Sequence, residues 1–131
     1  MSTYTANCMC GAISVEVVGE PTAMGICHCK DCRAWSASPV NGVAIWPRDK
    51  MTIAKREDQI DSYASSEGHQ RAWCKKCGGH VFHDVGPFGV VDVYASLVQR
   101  TVSAPATASQ IPQPIHSPSS TMAYSRPAGV V

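Results

Sequence analysis

The sequence predicts a small, mainly β fold of antiparallel strands with little helix. Three observations point there. Leu occurs once, at Leu97, while Val and Ile together occur 21 times, so leucine-faced helices have no supply of residues. β-Branched side chains lose rotamer freedom in helices and fit a pleated surface. Apolar residues recur mostly with period two, and Gly and Pro punctuate the runs at short intervals, as turns between strands require.

Taken in order, residues 12–18 read Ala-Ile-Ser-Val-Glu-Val-Val, which sets Ile13, Val15 and Val17 on one face before Gly19-Glu20-Pro21 ends the run. Lys30 to Trp35 is the best candidate for a short helical turn, with Asp31 as its local cap. After Ser38-Pro39, Val43 and Ile45 alternate within Gly42–Trp46, and Trp46-Pro47 stops that strand. His80–Val85 and Val90–Leu97 flank Gly86-Pro87 and supply two more strands. Trp35, Trp46 and Trp73 are expected in the core. No internal repeat and no long helix is present.

A chain of 131 residues is one domain. Residues 101–131 hold one charged residue, Arg126, and five of the nine prolines, in a background of Ser, Thr and Ala. That composition cannot bury enough apolar surface to offset chain entropy, so it reads as a divergent or disordered tail following a folded unit over residues 4–100. The formal net charge of +1 gives no electrostatic footprint for nucleic acid or anionic lipid. No apolar run approaches the roughly 18 residues of a membrane span. The start, Met-Ser-Thr-Tyr-Thr-Ala-Asn, has neither the basic nor the apolar region of a secretory signal, so the expected location is cytoplasmic.

Seven cysteines form three clusters: Cys8-Met9-Cys10-Gly11, Cys27-His28-Cys29-Lys30-Asp31-Cys32, and Cys74-Lys75-Lys76-Cys77-Gly78-Gly79. An odd count excludes a complete set of internal disulfides, and thiols in a reducing compartment bind metal or do chemistry. Cysteine pairs followed by glycine look like metal knuckles, in which glycine lets the backbone turn with positive φ beside the ligands. A core of about 100 residues benefits from such staples. Structural zinc is closed by four protein ligands, while catalytic zinc keeps a position open. Seven divides as Cys8, Cys10, Cys74 and Cys77 around a closed site and Cys27, Cys29 and Cys32 around an open one. A second division pairs Cys29/Cys32 with Cys74/Cys77 as a zinc ribbon, although the 41 residues between those pairs exceed the usual roughly 15–20.

Asn7-Cys8-Met9-Cys10-Gly11-Ala12, Cys27-His28-Cys29-Lys30-Asp31-Cys32-Arg33 and Trp73-Cys74-Lys75-Lys76-Cys77-Gly78-Gly79 together resemble the glutathione-dependent formaldehyde-activating enzyme family, which includes centromere protein V. The resemblance spans about residues 4–100 and implies a β-rich zinc fold with two ions. It implies that Cys8, Cys10, Cys74 and Cys77 hold structural zinc and that Cys27, Cys29 and Cys32 hold catalytic zinc. It implies a carbon–sulfur lyase that joins formaldehyde to glutathione as S-hydroxymethylglutathione. Family members usually continue with a closing segment, from which the tail departs; Pro114-Ile115-His116 is its candidate remnant.

Three thiolates leave zinc a weak Lewis acid that suits a soft fourth ligand, and a substrate thiol is the natural one. The thiol would ionise there and attack a nearby aldehyde carbon, with zinc acting through nucleophile generation and positioning. Lys30 and Arg33 adjoin the open cluster and are the candidate contacts for an anionic thiol such as glutathione. Ser36 and Ser38 fit either a pocket wall or a turn. His28 is expected beside the metal or in solvent rather than on the metal. His80 and His83, three apart on a strand, are expected to face opposite ways, and His69 to sit in a polar loop. The competing readings are a non-catalytic zinc module for a protein partner and a redox protein using Cys74/Cys77. The latter wants a βαβ context that is absent.

Overall fold

The computed structural model describes residues 1–101. Beyond Thr101 the expected tail, with Pro114-Ile115-His116, lies outside the described residues. The chain runs β1 (Thr3–Asn7), β2 (Ser14–Val18), β3 (Ala23–Cys27), α1 (Lys30–Ser36), β4 (Asn41–Pro47), β5 (Met51–Lys55), β6 (Ile60–Ser66), β7 (His69–Cys74), β8 (His80–Val85), β9 (Val90–Tyr94) and β10 (Val98–Arg100). Single 3-10 turns occupy Arg48–Lys50, Glu57–Gln59, Gly86–Phe88 and Ala95–Leu97. The fold is mainly β, as the residue supply predicts.

Two antiparallel sheets result. One has four strands in the order β10-β1-β2-β5, and the other has six in the order β3-β4-β9-β8-β7-β6. The core forms between them. Val15 and Val17 of β2, with Ile13 just before it, are fully buried beside Ala6 and Met51; Ala44, Trp46, Val91, Val93 and Ala72 come from the larger sheet. Burying each Val or Ile side chain contributes about 1.5–3 kcal/mol, so the alternation in β2 is the main local reason for its placement. Trp46 satisfies its buried indole by donating to the Gly19 carbonyl at 2.9 Å. No helix among the described residues is long and apolar enough to cross a membrane.

Alternation decides what the other face of the larger sheet carries. With Ala44 and Trp46, Ala72, and Val91 and Val93 directed to the core, the residues between them belong to the opposite face. These include Val43, Arg71, Asp92 and Tyr94, with His83 across from both Arg71 and Asp92 in the ladder. Helix α1 lies over that face.

Two element boundaries differ from expectation. The run Val90–Leu97 is strand only to Tyr94 and then turns through Ala95–Leu97, so Leu97 leaves the ladder. Position 69 starts β7 instead of lying in a loop.

Candidate functional site

The β1–β2 turn and the β7–β8 turn bring four cysteines together. Cys8, Cys10, Cys74 and Cys77 place their sulfurs within 4.8 Å of one another. Cys8 and Cys74 are buried, Cys10 is exposed and Cys77 is half-buried. Cys8 and Cys10 are 3.7 Å apart and Cys10 and Cys74 are 3.8 Å apart. A tetrahedral zinc with bonds of about 2.3 Å sets its sulfurs about 3.8 Å from each other, so the spacing fits that ion. Both turns rely on glycine in the left-handed region, Gly11 at φ 73° and Gly78 at φ 74°. Backbone N–H groups aim at sulfur: Ile13 donates to Cys8 at 3.3 Å and Gly79 to Cys77 at 3.4 Å. The Gly79 N–H is the main reason the Cys77 thiol is drawn down to about 6. Thiolates this close repel unless a cation sits among them.

A second group forms where β3 meets α1. Cys27 ends β3, Cys29 caps α1, and Cys32 is buried in the helix. Their sulfurs also lie within 4.8 Å of one another. The Cys32 backbone N–H donates to the Cys29 sulfur at 3.4 Å and holds the Cys29 thiol below its ordinary value. Burial, followed by the neighbouring Cys27 and Cys29 thiols, pushes the Cys32 thiol up to about 11, against the pull of Arg71. Both terminal nitrogens of Arg71 lie 3.9 Å from the Cys32 sulfur, and its Nε donates to Ser65 Oγ at 3.2 Å. Arg71 is buried and, among the described residues, has no carboxylate partner.

The three-cysteine group forms one wall of a cavity of about 310 Å³. Its floor is the outer face of the larger sheet: Asn41 and Val43 from β4, Asp92 and Tyr94 from β9, His83 from β8, and His69 and Arg71 from β7. His69 Nδ1 is 3.2 Å from His83 Nε2, and His83 Nδ1 is 3.4 Å from Asp92 Oδ2. The Tyr94 hydroxyl is buried with no hydrogen-bond partner among the described residues.

Comparison with known proteins identifies the lineage of this arrangement. Residues 3–110 match the family model described as glutathione-dependent formaldehyde-activating enzyme. The chain belongs to that family. An uncharacterised lyase of Schizosaccharomyces pombe is 36% identical over 78 residues, covering 60% of this chain and 55% of the relative. A protein of Aspergillus flavus named for the formaldehyde-activating family is 25% identical over 99 residues, covering 71% of this chain and 52% of its own. The chain thus spans about half the length of the curated relatives it matches. A crystal structure of a Rhodobacter sphaeroides protein superposes with a TM-score of 0.60 at 17% identity, over 76% of this chain and 91% of that one, which shows a shared fold.

Within this formaldehyde-activating-family fold, both cysteine groups have the donor chemistry to hold a metal ion, compatible with zinc. Other residues singled out in the sequence take different places. Lys30 and Arg33 are exposed on α1 and do not line the cavity; the guanidinium that faces Cys32 belongs to Arg71, 39 positions along the chain from that cysteine and carrying no local motif. His28 is exposed. The cap of α1 is Cys29 rather than Asp31, because the sulfur, not the carboxylate, accepts the Cys32 N–H. Ser36 donates to the Cys32 carbonyl and Ser38 to the Val40 carbonyl, so both serve local structure.

Of the three tryptophans, only Trp46 is core. Trp35 and Trp73 are half-buried and pack on each other at 5.7 Å, with His80 stacked on Trp35 at 4.4 Å. His80 and His83 also share a face, contrary to simple alternation. The register shifts at Ala72/Trp73, so Val81 is an extra residue in β8, and His80 and His83 pair with Trp73 and Arg71, two apart on β7. His69 is a cavity residue bonded to His83, which corrects its placement in a loop without a role.

Proposed function

We propose that the protein is a zinc-dependent carbon–sulfur lyase that makes or breaks a thiol–aldehyde adduct, with glutathione and formaldehyde as the substrate pair and S-hydroxymethylglutathione as the product. The observation that carries this reading is the contrast between the two cysteine groups. Four converging thiols complete a tetrahedron with no place for substrate, whereas three thiols stand on the wall of a cavity. The family membership and the lyase name of the fission-yeast relative support it.

Cys8, Cys10, Cys74 and Cys77 would hold one structural zinc, and Cys27, Cys29 and Cys32 would hold the catalytic one. The zinc on three thiolates supplies a soft fourth position that favours the ionised form of a substrate thiol. The rest falls to the chain. Arg71 offsets the excess negative charge of the thiolates from its buried position against Cys32. The cavity floor, with Tyr94 among its side chains, would hold the aldehyde beside the sulfur. Lys30 and Arg33, outside the cavity, remain available to the distal charges of a peptide thiol.

The experiment is Cys32→Ser. Metal analysis of the wild-type protein should give two zincs per chain, and the variant should keep one while staying folded by circular dichroism. Exchange NMR should show wild-type acceleration of adduct formation between glutathione and formaldehyde above the spontaneous rate, and the variant should lose it. Loss of both metals from Cys32→Ser, or no wild-type acceleration across a range of protein concentrations, would overturn the assignment.

A further inference from the structure

We infer that His69 is the catalytic base that exchanges a proton with substrate, and that His83 and Asp92 stand behind it across the cavity floor to orient it and offset its charge. The inference rests on the proposed thiol–aldehyde reaction and adds the residues that move its proton. The three side chains sit on neighbouring strands β9, β8 and β7, and all three line the same cavity as Cys27, Cys29 and Cys32.

The chemistry of the groups orders the chain of protons. Asp92 only accepts, and its carboxylate lies 3.4 Å from His83 Nδ1, close enough for its charge to favour the tautomer with hydrogen on Nδ1 although the pair is not aligned as a hydrogen bond. His83 Nε2 is then an acceptor, and at 3.2 Å it takes the hydrogen of His69 Nδ1. That leaves the lone pair of neutral His69 on Nε2. His83 is buried and turns its two ring nitrogens to these two neighbours. Asp92 and His83 are therefore positioning residues: they fix the tautomer of His69 and stabilise the cation that forms when it gains a proton. The other charged or titratable groups facing this chain are Arg71 on β7, Tyr94 on β9, Asp31 on α1 and the three cysteines. Arg71 is held on the Cys32 side.

In the adduct-forming direction the thiol S–H bond breaks and its proton goes to His69 Nε2. The sulfur lone pair forms the S–C bond while the π pair of the aldehyde moves onto oxygen. The proton returns from His69 to that oxygen as a hydroxyl. The imidazole ends neutral, and no oxidant, reductant or net proton is consumed.

The test uses full-length His69→Gly, His69→Gln, His83→Gln and Asp92→Asn, each checked for two bound metals. Both His69 variants should lose about 10²–10⁴-fold in kcat with little change in KM, the span of a positioned base. Added imidazole should restore part of the His69→Gly rate and none of the His69→Gln rate. Nitrogen-15 NMR should find His83 protonated on Nδ1 in the wild type and redistributed between tautomers in Asp92→Asn. Unchanged kcat in the His69 variants, or a His83 protonated on Nε2 in the wild type, overturns the inference. If the wild type shows no acceleration at all, the proposed function fails, and the NMR result alone decides: the Nδ1 tautomer lost in Asp92→Asn supports the positioning of His69 by His83 and Asp92, and the Nε2 tautomer sinks it.

Discussion

Arg71 is the residue whose presence most needs an explanation. Burying a guanidinium without a carboxylate partner costs several kcal/mol in general, and among the described residues it is the Cys32 sulfur, protonated in the absence of a cation, that lies 3.9 Å from both terminal nitrogens. The burial becomes favourable once the three thiols are ionised around a cation and carry net negative charge. Arg71→Met keeps the apolar stem and removes the charge. It should weaken the metal held by Cys27, Cys29 and Cys32 about 10–100-fold in a chelator competition, while the four-cysteine metal is unaffected. Equal loss at both sites would show that Arg71 supports the fold and not the cluster. His80 gives a second prediction at this scale. Burial against Trp35, and then the nearby Arg71 charge, hold its pKa below the ordinary 6.5. The unfolded chain therefore binds the proton more readily, so stability is fully present above pH 6.5 and falls as the pH drops through and below it. Denaturant midpoints of the wild type should decline from pH 7.5 to 5.5 more steeply than those of His80→Phe. Parallel declines would remove His80 from the account.

The elements show what the sequence made legible. Strands β2, β4 and β8 were readable because Ile13, Val15, Val17, Val43, Ile45, Val81 and Val85 alternate or cluster between turn residues, and all but Val43 and Ile45 are buried. The opposite case is β6, Ile60–Ser66, mostly exposed on both faces and without a period, and held by pairing to β7. The knuckle glycines were readable for a related reason, since Gly11 and Gly78 do carry the positive φ that a turn beside paired cysteines demands. The cavity floor was not. His69, His83, Asp92 and Arg71 are scattered single residues that converge only through strand register and the extra residue Val81, neither of which leaves a mark in the sequence. One contact between elements is tested directly. Gly68, in the β6–β7 turn, has φ 73°, and a Cβ there would lie 2.8 Å from Pro87 Cδ; its carbonyl accepts the Gly86 N–H at 2.9 Å. Gly68→Ala should cost about 1–3 kcal/mol in urea denaturation, since both the backbone and the Pro87 ring must give. A change below a few tenths of a kcal/mol would mean the two turns part freely.

At the scale of the whole molecule the two cysteine groups hold different things. Cys8 and Cys10 lie between strands of the four-stranded sheet, and in the six-stranded sheet Cys74 ends β7 and Cys77 lies in the turn that follows. A metal there ties the sheets together and closes a chain segment in which Cys10 and Cys74 are 64 residues apart. On the chain-entropy scale such a link is worth about 4 kcal/mol, a large part of the 5–15 kcal/mol that a domain has in total. The Cys27, Cys29 and Cys32 group spans a single strand–helix junction, so a metal there closes only a few residues and adds little to global stability. Metal removal should therefore proceed in two stages. Titration with a chelator should first take the ion from the three-cysteine group, ending any adduct chemistry with the circular dichroism spectrum and thermal midpoint nearly unchanged. Stronger chelation should then take the second ion together with the cooperative loss of β structure. Cys8→Ser should resemble the second stage from the outset and fail to fold. A single stage, in which activity and structure vanish together at one chelator concentration, would mean that the two groups are energetically one site.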